Sequence, residues 1–260
     1  MRDSPTWLRV ALTAAALLSP VACGGDDEIV GDGDVAPIDS GVPDAGIDAE
    51  NLCPGALTFE AFASGLETGT AEFDVAVTEV GNPTNTETSA PNGRVVLCLP
   101  DDADVELSAE KTDYLTRVDT VKSAVVAEFS PTTQPYPLFV IAQAAAETLY
   151  TDLGATFDDG DGQVVVSVLE MPAATPLTGA TVDIDKTPGD GPYARDDAGA
   201  FAAGDTIDSG GLVLFANVPL AGGDVSITVT PPDGFTGTCT GPATVSLTAG
   251  QMSGALFACQ

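Results

Sequence analysis

The side chains with the widest chemical range here are five cysteines, Cys23, Cys53, Cys98, Cys239 and Cys259, in a chain with no histidine. A thiol can be acylated, bridged or metal-bound. Without imidazole there is no Ser-His or Cys-His relay and no His-containing zinc site. No CxxC pair occurs, which argues against a thiolate metal site. No GxSxG, P-loop, GxGxxG or HExxH pattern is present. Carboxylates abound, with 39 Asp+Glu against 8 Lys+Arg and a net charge of -31. That abundance makes no single acid pair stand out. The chain is therefore expected not to be an enzyme, and an Asp/Glu-dependent hydrolase is the remote alternative. Such a surface repels the phosphates of nucleic acid and attracts divalent cations or basic partners.

Cys23 sits in the most informative context. Arg2 and Arg9 precede the apolar run Val10 to Leu18, which is too short to span a bilayer. Then comes Ser19-Pro20-Val21-Ala22-Cys23-Gly24-Gly25. Small residues before a cysteine resemble the lipobox of bacterial lipoproteins, although Pro20 stands where that family has an aliphatic residue. The resemblance implies cleavage after Ala22, a diacylglycerol on Cys23 and acylation of the new N-terminus. Gly24, in place of an Asp, implies the outer membrane of a Gram-negative cell. An ordinary signal peptide with an incidental thiol is the alternative. An odd cysteine in a secreted chain asks for an explanation, and setting Cys23 aside leaves four. Several acyl chains give stable anchoring.

The elements that would position these groups follow from composition and period. Residues 1–22 read as the signal peptide and 23–50 as a lipid-anchored acidic linker. The linker is rich in Asp, Gly and Pro without Lys or Arg, and is expected to be disordered. Residues 51–130 and 163–260 carry short alternating runs bounded by turn residues, as half-buried strands do. Examples are Phe73 to Val80, Gly93 to Pro100, Asp104 to Ala109, Val164 to Leu169, Gly211 to Pro219 and Val225 to Thr230. Asp119 to Phe129 is expected to add further strand. Between the two halves, in residues 131–162, Pro137 to Gly154 reads as one amphipathic helix: Pro marks the start, Gly the stop, and Leu138, Ile141, Ala142, Ala145, Leu149 and Leu153 share a face. The predicted fold is mainly β, two small Greek-key-type β-sandwich domains joined by that helix. Of three possible connectivities for the four remaining cysteines, one bridge per half is expected, Cys53–Cys98 and Cys239–Cys259.

The second half resembles a carboxypeptidase regulatory-like domain, transthyretin-like in fold. Gly179, Ala180, Val182, Gly211, Phe215, Pro219, Ile227, Val229, Gly234 and Phe235 carry the likeness. It implies a noncatalytic β-sandwich, and it says little about partners. Two candidate sites remain. Asp158, Asp159 and Asp161 could hold Ca²⁺ through carboxylate oxygens, or form a solvated turn; no other cofactor is expected. Tyr193 and Arg195 lie in residues 183–208, read as a long loop able to contact a partner, or as an inserted surface hairpin. The expected role is a noncatalytic, lipid-anchored envelope protein that binds a protein or carbohydrate ligand, or an accessory subunit of an envelope transporter or peptidase.

Overall fold

The structure, a computed structural model, describes residues 53, 56–101, 103–129 and 135–260. The expected signal peptide, Cys23 and the expected acidic linker lie outside the described residues. The first half contains β1 (Leu57–Gly65), β2 (Ala76–Glu79), β3 (Asn82–Thr88), β4 (Arg94–Leu99), β5 (Val105–Glu110) and β6 (Arg117–Val121). Then come helix α1 (Ser123–Phe129), β7 (Tyr136–Val140) and helix α2 (Gln143–Asp152). The second half begins with β8 (Gly162–Glu170), β9 (Thr175–Pro176), β10 (Thr181–Ile184), β11 (Asp190–Arg195) and β12 (Phe201–Ala203). It ends with β13 (Leu212–Val218), β14 (Val225–Thr230), β15 (Cys239–Thr240), β16 (Thr244–Val245) and β17 (Met252–Cys259). The fold is mainly β, as expected.

Both halves build on one sheet. Its order is β12-β11-β13-β8-β17-β6-β5-β2-β3, with β15 against β17 and β9 against β8. The seam is β17, which runs parallel to β6 on one side and to β8 on the other. Every residue of β17 is buried. Alternation then sorts side chains to two faces. On one face, Leu107, Ala109, Val121, Leu256, Ala258 and Leu169 meet the three-stranded sheet β4-β1-β7 through Phe59, Leu97 and Leu138. Farther along that face, α2 covers Val165, Leu212 and Leu214 with Ala146 and Tyr150. On the opposite face, Val164, Val166, Val168, Val213 and Phe257 meet the three-stranded sheet β10-β14-β16 through Val182, Ile227 and Val245. Each half thus contributes a small sheet, and the two small sheets cover opposite faces of the shared one.

The expected helix over Pro137 to Gly154 is corrected at its start. Tyr136 to Val140 is a strand, and helix begins only at Gln143. A five-residue apolar run has no period that separates helix from strand. Tertiary pairing decides for strand, because Leu138 and Val140 lie alongside Ala63 and Gly65 of β1. Pro137 fits there because β7 is an edge strand. The stop holds: Gly154 has φ +77, its amide donates to the Thr151 carbonyl and the Ala155 amide to that of Tyr150, a Schellman end. Asp119 to Phe129 likewise divides into the end of β6 and α1. Between the expected strands Phe73 to Val80 and Gly93 to Pro100, the Asn- and Thr-rich residues 82–88 form β3, whose backbone pairs with β2.

Both expected disulfides are present, Cys53–Cys98 and Cys239–Cys259, with sequence separations of 45 and 20. Cys53 fastens the approach to β1 onto β4. Cys239 and Cys259 face each other in the β15–β17 register. Closing loops of these lengths stabilises the folded chain by about 3–4 kcal/mol each in the chain-entropy account.

The centre of the shared sheet is charged. Arg117 and Asp119 are 2% and 0% exposed and point inward with Val121, where simple patterning would turn Val118 inward. Arg117 Nε donates to Asp119 Oδ1 at 2.5 Å, Nη2 to Oδ2 at 3.1 Å, and Nη1 to the Phe139 carbonyl at 2.8 Å. Gly254 lies opposite Asp119 in β17. A Cβ there would stand 1.6 Å from Asp119 Oδ1 and 2.5 Å from Arg117 Nη2, so only glycine leaves room for the pair.

Two outcomes are expected in denaturant titrations. Asp119→Leu, which strands the arginine, costs about 3–5 kcal/mol, while the double change Arg117→Met with Asp119→Leu recovers most of that loss. Gly254→Ala costs about 3 kcal/mol by crowding the pair.

Candidate functional site

The predicted site residues divide on inspection. Asp158 accepts the Gly160 amide on Oδ1 at 2.8 Å, its own amide donates to Asn217 Oδ1 at 3.0 Å, and its carbonyl accepts the Asp161 amide. These bonds make a turn docked on β13. No group of three acidic, cysteine or histidine side chains converges among the described residues, so Asp158, Asp159 and Asp161 do not form a ready cation cage. At the buried end of this network Tyr150 donates to Gln163 Oε1, which also accepts the Asn217 amide at 2.8 Å, and Asn217 Nδ2 donates to Asp190 Oδ2 at 2.7 Å.

Tyr193 and Arg195 belong to β11 and not to a loop, and each is 8% exposed. The segment folds as a hairpin because Tyr193, Ala194 and Arg195 pair with Ala203, Ala202 and Phe201 of β12. Tyr193 packs into the cluster under α2. The Arg195 guanidinium lies 5.8 Å from the Phe139 ring centroid, and Arg117 lies 5.9 Å from the same ring. Arg195 Nη2 is close to the two turn glycines Gly69 and Gly199. Its Nε is buried without a hydrogen-bond partner. Burial lowers the Arg195 pKa, against the opposing pull of Asp196 and Glu67. These two residues therefore stiffen the core between the halves.

The other described cations are mostly occupied. Arg94 pairs with Glu60 at 2.7 Å, Lys111 with Glu72 at 2.6 Å and Lys122 with Asp104 at 3.2 Å. Lys111 also lies 4.5 Å from the Tyr114 ring centroid and 5.0 Å from that of Phe73.

A concavity that sequence inspection misses lies between the small sheet and the shared one. Phe62, Arg94, Phe129, Pro135, Pro137 and Phe139 form one wall. Ser167, Leu169, Ala174, Pro176, Gly210 and Gly211 form the other. The volume is about 480 Å³, within the range of small-molecule pockets. Two features of β7 build it. Residues at alternate positions point to opposite sides, so Tyr136, Leu138 and Val140 enter the core and Pro137 and Phe139 face the cleft. The outer edge of β7 is blunted as well: Pro137 has no N–H and the Phe139 carbonyl is taken by Arg117. Ser167 is 3% exposed, and its hydroxyl makes no hydrogen bond to the described residues. Among the described residues that line the cleft there is no carboxylate and no lysine.

No protein-family model matches the chain, and no curated protein matches it. Among solved structures it is similar to the Bacillus anthracis TIE protein, at 12% identity over 79% of this chain and 34% of that one, with a TM-score of 0.25. It thus spans about a third of that protein. It is also similar to the shaft pilin SpaA from Lactobacillus rhamnosus GG, at 12% identity over 79% and 98% of the two chains, TM-score 0.24. GBS52, the minor pilin of Streptococcus agalactiae, follows at 9% identity over 78% and 94%, TM-score 0.27. Similarity at this level assigns no residue of this chain a role.

The tyrosines give a pH test of the packing. Burial raises the pKa of Tyr114, Tyr136, Tyr150 and Tyr193 above 10.0, and the Asp119 charge adds to the effect at Tyr136. A raised folded-state value favours the protonated form. The stability it contributes is complete below pH 10 and is lost as pH rises further, where the unfolded chain releases these protons. In an alkaline titration, tyrosinate absorbance should stay absent at about pH 10 and appear together with loss of the sheet signal in circular dichroism. Tyrosinate forming at that pH in the intact fold would show that the rings are open to solvent.

Proposed function

We propose that this chain is a noncatalytic, exported β-protein held at the cell envelope by a lipid on Cys23, presenting its β-layers as a binding or structural module for a protein or carbohydrate partner. The observation that carries this reading is the pair of disulfides, Cys53–Cys98 and Cys239–Cys259. Such bridges persist in oxidising compartments outside the cytoplasm. They use four of the five cysteines and leave Cys23 as the one thiol without an intrachain role.

The absence of histidine agrees with a noncatalytic role. So does the use of the buried charges, since Arg117 is spent on Asp119 and the Phe139 carbonyl. The positions that carry the carboxypeptidase regulatory-like resemblance serve packing: Val182, Phe215 and Ile227 fill the cluster between β10-β14-β16 and the shared sheet. No helix among the described residues is long and apolar enough to cross a membrane, and attachment through Cys23 needs none. The linker 23–50 would hold the module away from an outer-membrane surface, with its negative charge favouring extension.

The test is fractionation with metabolic labelling by a fatty-acid analogue. The native chain should carry label and sediment with membranes, whereas Cys23→Ser should carry none and become soluble. Label or membrane association surviving the substitution overturns the reading.

A further inference from the structure

We infer that the cleft between β7 and the shared sheet is a binding site for a small, uncharged aromatic molecule carrying one hydrogen-bonding group. This assignment stands on the cleft alone and is independent of the lipid anchor.

Three observations converge. The first is wall chemistry. Phe62, Phe139, Pro137 and Pro176 present flat or ring-shaped apolar surfaces around about 480 Å³. Aromatic rings favour offset or edge-on contact with another ring, beyond simple area burial. These walls are also stiff, because proline has little conformational freedom to lose and Phe139 packs near two arginines. A stiff, preformed cleft loses little entropy on binding.

The second observation is Ser167. Its hydroxyl is at the floor of the cleft, in a residue that is 3% exposed, and it has no partner among the described residues. The hydroxyl is not sealed from solvent: it opens onto the cleft, where water or a ligand group can meet it. Gln163, on the same sheet face, is satisfied within the protein by Tyr150 and the Asn217 amide. A ligand group that donates to or accepts from Ser167 would complete the floor. Because a hydroxyl does both, the cleft specifies a hydrogen bond without fixing its direction.

The third is charge. Arg94 is the one cation on the cleft wall, and Glu60 already neutralises it at 2.7 Å. The net charge of the chain is -31, so its field repels anions. A carboxylate or sulfonate on the ligand would have to share that guanidinium with Glu60 and overcome that field. Wall, floor and charge together select a neutral ring with one polar group.

A matched pair of fluorescent probes tests this. N-phenyl-1-naphthylamine is uncharged, with two aromatic units and one N–H. 1-Anilinonaphthalene-8-sulfonate is the same framework with an added anion. The full chain carrying Cys23→Ser, purified without detergent, is titrated with each. The neutral probe should bind saturably at one site, and the sulfonate at least about tenfold more weakly. Ser167→Ala should weaken the neutral probe about threefold to tenfold through loss of one hydrogen bond. Ser167→Leu should abolish binding by filling the floor, with the melting temperature retained. Ala174→Trp fills the cleft from the same wall at a different point, and decides the matter if Ser167→Leu fails to fold. Unsaturable binding, equal affinity for the sulfonate, or unchanged affinity in a folded, filled variant overturns the assignment.

Discussion

The Arg117–Asp119 pair sets the terms for everything around it. Two charges taken out of water are tolerated only when each finds nearly all of its partners. Asp119 receives two N–H groups from Arg117, and Arg117 gives a third to the carbonyl of Phe139 on β7. The pair lies between Met252 and Leu256, which belong to the two apolar clusters on that face of the sheet. It joins those clusters and fixes the height of β7 above the sheet. Gly254 is the cost of fitting it in: the strand gives up a side chain there so that the carboxylate can lie flat against its backbone.

From β7 the constraint spreads outward. Holding the Phe139 carbonyl on Arg117 leaves its ring centroid 5.9 and 5.8 Å from two guanidinium groups, with Pro137 on the same side of the strand. The small sheet then stands off β8 and β13 at its rim, and the gap is the cleft floored by Ser167. Arg195 also packs near this ring. A residue read as a surface contact therefore acts as a strut, and the open surface is found where no polar motif advertised it.

Much of the scaffold was legible in the chain. Alternation in Val105 to Glu110 and Val225 to Thr230 marks true strands, because one face of each is buried and the other meets solvent. The disulfide pairing was legible because the two halves separate the four cysteines cleanly. Other parts were hidden for physical reasons. Asn82 to Thr88 has no apolar side, so nothing in its pattern shows that β2 offers its edge to that backbone. Tyr136 to Val140 is too short for period to speak, and a proline that can open a helix can equally sit on an edge strand. Arg117 and Asp119 invert the usual rule, with charges inward and Val118 half-exposed. The cleft was the least visible of all. Its walls come from residues 62, 94, 129, 135–139, 167–176 and 210–211, and only the register of two sheets brings them together.

The place of β17 bears on how the chain reaches this state. It lies between β6 and β8, in register with both, although Gly254 is separated from Asp119 by most of the second half. Parallel neighbours cannot be joined by a tight turn. The shared sheet therefore stays split into two open-edged parts until residues 252–259 arrive between them, and β17 is the last in chain order of the strands among the described residues. Contacts of such long range make assembly slow. During that interval the edges of β6 and β8 are exposed, apolar and prone to pairing with other chains. The abundant negative charge acquires a second use here, since mutual repulsion between unfinished copies keeps those edges apart while each waits for its own last strand.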